Sequence, residues 1–207
     1  MSIRQKYTDR YDKCLVSIAR ALEEHVIDNL TNVPRIDRVA ARAKEIDSFI
    51  GKANKEAGGV KKYTDPLNQI QDQIGVRIVT FYLDDVDVVS EIIEGYYRKI
   101  ESKYLVPDSD SEFGYFGKHY IFLLPDDLID DEYDNDKIPN CFELQIKTLF
   151  QHAWGEAEHD LGYKPDVEMC GEVKRKVAFT AAQAWGADQI FNDMHKSAND
   201  PHELNEK

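Results

Sequence analysis

The segment from Phe142 to Lys164, FELQIKTLFQHAWGEAEHDLGYK, changes its period partway along. Its first six residues alternate, with Phe142, Leu144 and Ile146 on one face of a strand and Glu143, Gln145 and Lys147 on the other. It then turns helical, and His152, Glu156 and His159 fall on one stripe. A strand that feeds straight into a helix calls for a fold mixing both elements. Ile74 to Tyr82, IGVRIVTFY, adds a second constraint: it is β-branched and aromatic almost throughout, as expected of a strand inside a sheet.

Around these strands the chain reads as helices. Apolar residues recur at helical spacing from Tyr7 to Leu30, until Asn32, Val33 and Pro34 interrupt. A second helix is expected from Asp37 to Lys55, stopping at Gly58-Gly59, and a third over Val86 to Ile100. A polar loop, Pro107 to Glu112, precedes a strand at Lys118 to Leu124. The acidic run Asp126 to Asp136 is expected as a solvated loop, and a last helix spans Glu172 to Met194. The sum is an α+β fold, a mixed β-sheet flanked by helices. Residues 1–33 form an N-terminal helix packing on a domain of 34–195, with 196–207 a polar tail.

Composition narrows the function classes. At 207 residues and 42% hydrophobic content the chain can bury a sizeable core. A net charge of -13 argues against a general nucleic-acid-binding surface, though a few cations in a cleft can still focus potential locally. Lys174-Arg175-Lys176 is one local basic patch, or simply a solvated helix face. Cys14, Cys141 and Cys170 lack zinc-type spacing and are expected as reduced thiols. The amino terminus MSIRQKYTDRYDK holds no apolar signal core, and no apolar run is long enough to span a membrane. A soluble cytoplasmic protein is expected.

Several residues could carry chemistry. Lys44, Ser48 and Lys52, spaced at four, would stack two ammonium groups around a hydroxyl, which suits a polyphosphate chain; the alternative is a solvated helix face. Asp72 stands at the entrance to the buried strand and Arg77 inside it, where a charge must be paired or functional. Gly114-Tyr115-Phe116-Gly117-Lys118-His119 is a glycine-punctuated turn whose rings serve either as a base-stacking platform or as hairpin core. The His152-Glu156-His159 stripe lacks the HExxH order, and His159-Asp160 lacks the distant ligands of an HD hydrolase, so neither reads as a metal site. Trp154 reads as core.

Taken in order, R-x-K-x-x-x-S-x-x-x-K from Arg42, D-x-x-G-x-R-I from Asp72, G-Y-x-x-x-H from Gly114, E-x-Q-I-K-T from Glu143 and H-A-W-x-E-x-E-H…YK from His152 resemble the synthetase domain of the RelA/SpoT alarmone synthetase family. The similarity covers about Pro34 to Met194, and the chain resembles the short, stand-alone synthetases. The resemblance implies a nucleotidyltransferase-like fold and transfer of the β,γ-pyrophosphate of ATP to the 3′-hydroxyl of GDP or GTP, with AMP released. It implies that Arg42 and Arg77 sandwich the adenine and that Lys44, Ser48 and Lys52 grip the ATP phosphates. Asp72 and Glu143 would hold Mg²⁺, Glu143 also accepting the hydroxyl proton. Tyr115 would stack on the acceptor base, His119 and Gln145 would position acceptor and phosphates, and Lys147, His159 and Lys164 would lie on the acceptor side.

Three departures from the family pattern fall on that acceptor side. Phe116 and Gly117 stand where Arg or Gln and then Ser are common, Lys147 where Arg is usual, and Gly162 where a longer polar side chain is common. They leave room for toxin-type relatives that use an adenine nucleotide or the tRNA 3′ end; a catalytically silent nucleotide-binding module is the other alternative, and the retained Asp72, Glu143 and lysine stripe argue against it. A homo-oligomer and an absence of membrane contact complete the expectations.

Overall fold

In the computed structural model, residues 1–104, 114, 117–130, 133–134, 137–162 and 171–199 are described. The chain opens with α1 (Ile3–Arg10), a π-helical turn (Tyr11–Leu15) and α2 (Val16–Asn29). Ser2 and Gln5 form a capping box at its start, so the helix begins earlier than periodicity suggests. Then follow β1 (Ile36–Ala43), α3 (Ile46–Ala53), a small hairpin of β2 (Glu56–Ala57) and β3 (Val60–Lys61), and α4 (Pro66–Gln69). The remainder is β4 (Ile74–Thr80), α5 (Leu83–Tyr96), β5 (Lys99–Tyr104), β6 (Lys118–Leu123), β7 (Cys141–Thr148), α6 (Leu149–Gly162) and α7 (Gly171–Asn199).

Among the described residues five strands form one sheet in the order β1-β4-β7-β6-β5. β4 and β7 are parallel, and the other pairs are antiparallel. The pleat sorts the residues by face. Ile74, Val76 and Ile78 of β4 join Phe142, Leu144 and Ile146 of β7 and Tyr120 and Phe122 of β6 in the main core, where α2 and α5 cover them. Glu143, Gln145, His119, Arg77 and Arg42 lie on the opposite face, which is left half-buried or exposed.

The second helix expected over Asp37 to Lys55 is not one helix. Its first half is β1, paired along its length with β4, and only Ile46–Ala53 is helical. Ala and Arg favour helices in isolation, but an open edge of the β4 strand offers a full ladder of backbone hydrogen bonds, and that pairing overrides propensity. Gly58 and Gly59, expected to stop that helix, are the two-residue turn of the β2–β3 hairpin, both at positive φ. The helix expected to run to Ile100 ends at Tyr96 to make room for β5. At the other end α7 continues to Asn199, past the expected stop. The loop at 107–112 and part of the acidic run lie outside the described residues.

Candidate active site

Two clusters stand on the half-buried face, at the entries of neighbouring strands. The first surrounds Asp72, just ahead of β4. Lys44, at the exit of β1, reaches Asp72 Oδ2 at 3.0 Å, and Lys52 of α3 reaches the same oxygen at 2.8 Å. The lysines therefore converge from two different elements rather than from one helical stripe; Ser48 sits one turn before Lys52 in α3. Burial would raise the Asp72 carboxyl, but the hydrogen bonds and charges of Lys52 and Lys44 outweigh it and hold the group below the usual carboxylate range. Asp72 Oδ1 is buried and has no hydrogen-bond partner among the described residues.

The second cluster surrounds Glu143 on β7. Gln145 Nε2 donates to Glu143 Oε2 at 2.9 Å, and His119 Nδ1 of the adjacent strand lies 3.3 Å from Oε1. Burial opposes ionisation here too, and contact with His119 and then Gln145 overcomes it, so the Glu143 carboxyl is also lowered. His119 Nε2 and Gln145 Oε1 are buried and have no partner among the described residues. A buried polar atom without a partner is costly in a finished protein and marks where a ligand group would bond. A cleft of about 250 Å³ adjoins, lined by Gln71, Glu101, Lys103, His119 and Glu143. Glu101 and Lys103 come from β5, an edge strand whose first two residues fall in the helix expected over Val86 to Ile100 and whose other residues lie between that helix and the expected loop; the alternation in KIESKY was its only signal.

Arg77, in the middle of β4, donates to Glu156 and lies 3.3 Å from His152 Nδ1. Burial and then the arginine charge hold His152 below its ordinary pKa, which keeps the imidazole neutral and able to accept. The α6 stripe thus anchors Arg77, and His159 lies exposed two turns along it. Arg42, exposed on β1, pairs with Gly75 two residues from Arg77, so the two guanidinium groups are diagonal neighbours on one face. Lys147 is buried to 8% exposure, and burial followed by the charge of Arg77 lowers its pKa. Tyr115 and Lys164 lie outside the described residues. Trp154 packs between α6 and α7, as expected of core.

The donor set can be weighed against a divalent metal. Among the described residues no group of three or more His, Cys, Asp or Glu could hold one. Two carboxylates, one with an unpartnered buried oxygen, instead fit Mg²⁺, which binds through one or two carboxylates and takes its other ligands from phosphates and water. Beside them stand cations able to neutralise a polyphosphate.

Comparisons with known proteins bear on the fold and the family. The chain is 26% identical over 166 residues to the GTP pyrophosphokinase YjbM of Bacillus subtilis, an alignment covering 77% of this chain and 72% of that protein. A GTP pyrophosphokinase family protein of Streptococcus pneumoniae superposes with a TM-score of 0.71 at 22% identity, each chain covered in full. Small alarmone synthetase 1 of Bacillus subtilis, solved bound to its product pppGpp, gives 0.73 at 20% identity, with 93% of this chain and all of that one covered. No described helix is long and apolar enough to cross a membrane. The family described as the region found in RelA/SpoT proteins matches residues 41–168. With that match spanning more than half its length, this chain belongs to the RelA/SpoT family.

Proposed function

We propose that this protein is an ATP-dependent pyrophosphotransferase that moves the β,γ-pyrophosphate of ATP to the 3′-hydroxyl of GDP or GTP, forming (p)ppGpp and AMP. The observation that carries this reading is the pair of clusters on one sheet face: an ionised acid oriented by His119 and Gln145, and, one strand away, an acid flanked by two lysines. The relatives support it, since the Bacillus subtilis protein is named a GTP pyrophosphokinase and its small alarmone synthetase 1 has been solved with pppGpp and with AMPCPP.

The chemistry asks for positioning and charge neutralisation rather than a covalent intermediate. The acceptor oxygen bonds to the β-phosphorus, the bond from that phosphorus to the oxygen bridging it to the α-phosphate breaks, and AMP leaves with the electron pair. Glu143 accepts the hydroxyl proton, and His119 and Gln145 hold its carboxylate in place. Lys44, Ser48 and Lys52 contact the ATP phosphates, with the lysines moving from Asp72 to the incoming oxygens. Arg42 and Arg77 flank the adenine, and Lys147, His159, Tyr115 and Lys164 serve the acceptor. Asp72 and Glu143 are the residues that would hold Mg²⁺, and the ion would supply charge neutralisation on the phosphate oxygens. The protein acts in the cytoplasm.

Incubation with γ-labelled ATP and GDP, GTP, ATP or tRNA in separate reactions tests the assignment. Label is expected on GDP and GTP; label on ATP or tRNA alone would overturn the acceptor, and no AMP from any pair would overturn the activity. Glu143→Gln should abolish AMP release while the far-ultraviolet circular dichroism spectrum stays that of the parent. Normal turnover by this variant would remove Glu143 from the proton-accepting role.

A further inference from the structure

Helix α1 gives the main core one large side chain, Tyr7, with Ile3 packed at its edge. Of its eight residues only Tyr7 and Arg10 are buried, and helices in proteins are held mainly by what their buried face packs on. Both residues lead to the Asp72 cluster. The Tyr7 hydroxyl donates to the Lys44 carbonyl at 2.7 Å, and the Lys44 N–H donates to the Gln73 carbonyl at 2.8 Å, so the Lys44 backbone is clasped from both sides. The Tyr7 ring lies flat on Phe49, at 3.6 Å and 3° between planes, one turn ahead of Lys52 in α3. Arg10 donates to the Gln73 side-chain oxygen at 2.9 Å and to the Leu67 carbonyl at 2.7 Å. The Gln73 amide in turn donates to Leu67 and Ile70, which fixes the residue next to Asp72.

The π-helical turn at Tyr11–Leu15 follows directly. The turn places its own Cys14 and Leu15 in the main core, and α2 adds Ile18 and Leu22, while the Tyr7 hydroxyl and the Arg10 guanidinium of α1 are left for the backbone beside Asp72. The family match begins at residue 41, so α1 lies wholly outside it.

We propose that α1 is a positioning strap for the phosphate-binding cluster: Tyr7 and Arg10, acting through the backbone of Lys44 and the side chain of Gln73, set where the Lys44 and Lys52 ammonium groups converge on Asp72. This rests on the assignment of that cluster to the ATP phosphates. Tyr7 and Arg10 are positioning residues, working at one remove from substrate.

Calorimetric binding of the magnesium salt of α,β-methylene-ATP to the full chain tests it, with Tyr7→Phe set beside Tyr97→Phe. Tyr97 is an equally buried tyrosine whose hydroxyl meets His25 and Asn29 away from the site, so its loss reports the bare cost of a hydroxyl. Tyr7→Phe keeps the ring on Phe49 and should weaken the analogue about fivefold, the worth of one hydrogen bond. It should raise the KM for ATP by a similar factor, with kcat at saturating ATP and the acceptor KM unchanged. Tyr97→Phe should leave all three alone. Parental affinity in Tyr7→Phe, or an equal loss in both variants, overturns the strap. A chain that binds the analogue but makes no AMP with any acceptor overturns the transferase reading instead, and the strap is then judged on binding alone.

Discussion

At the scale of single residues, two departures from the family pattern are in contact. A Cβ on Gly117 would lie 2.3 Å from the Ile146 carbonyl oxygen and 2.4 Å from Lys147 Cγ. The approach leaves no room for serine at 117, so Gly117 and Lys147 form one local adjustment that packs the residue just ahead of β6 against β7. Gly117→Ala should therefore destabilise the protein by about 1–3 kcal/mol, the usual cost of overpacking, read as a drop in the urea midpoint. Adding Lys147→Ala should recover only part of the loss, because the backbone oxygen remains. A variant as stable as the parent would mean that the backbone at residue 117 relaxes freely. None of this was legible in the sequence, where a missing side chain looks like a missing contact.

At the scale of elements, what could be read depended on whether a segment's pattern and its neighbours agreed. β4 and β7 were plain because burial on one or both faces leaves a strong periodic signature, and both carry site residues. β1 was hidden because IDRVAARA is built from helix formers and becomes a strand only through β4. Lys44 and Lys52 were matched by their spacing on one long helix, of which only the part from Ile46 to Ala53 forms and only Lys52 belongs to it, yet tertiary structure brings both to one oxygen. The pairing of Arg77 with the α6 stripe crosses from β4 to α6, a contact that no local pattern reveals. The same holds for the junction between β7 and α6. Thr148 closes a capping exchange with Gln151 at the start of α6, and its hydroxyl donates to the buried Asp188 of α7. Thr148→Val keeps the shape and removes a donor to a buried acceptor, so it should cost about 1–3 kcal/mol. Denaturant unfolding measures this, and a cost below about 0.5 kcal/mol would show that the α7 contact does not depend on the hydroxyl.

At the scale of the whole molecule, acidity and stability are linked. Asp72, Asp84, Glu94, Glu143 and Glu156 are all held below their ordinary values of 3.8 and 4.5. For Glu94 the main cause is its hydrogen bond to Lys99; for the other four, burial works the opposite way and polar partners prevail. A carboxylate with a depressed folded-state pKa contributes stability that is complete above its unfolded value and is lost as pH falls through the folded one. Thermal melts should therefore be flat from neutral pH down to about 5 and fall steeply below about 4. A midpoint unchanged at pH 3 would deny these groups their stabilising partners. The sheet order also governs when in synthesis the protein becomes competent. Among the described residues β7 is the last strand made and the middle strand in place, inserted between β4 and β6. Asp72 emerges from the ribosome early and waits, and until β7 arrives the sheet has no centre on which to face it with Glu143. A chain made only as far as β6 therefore holds Asp72 without Glu143, one half of the two-carboxylate face.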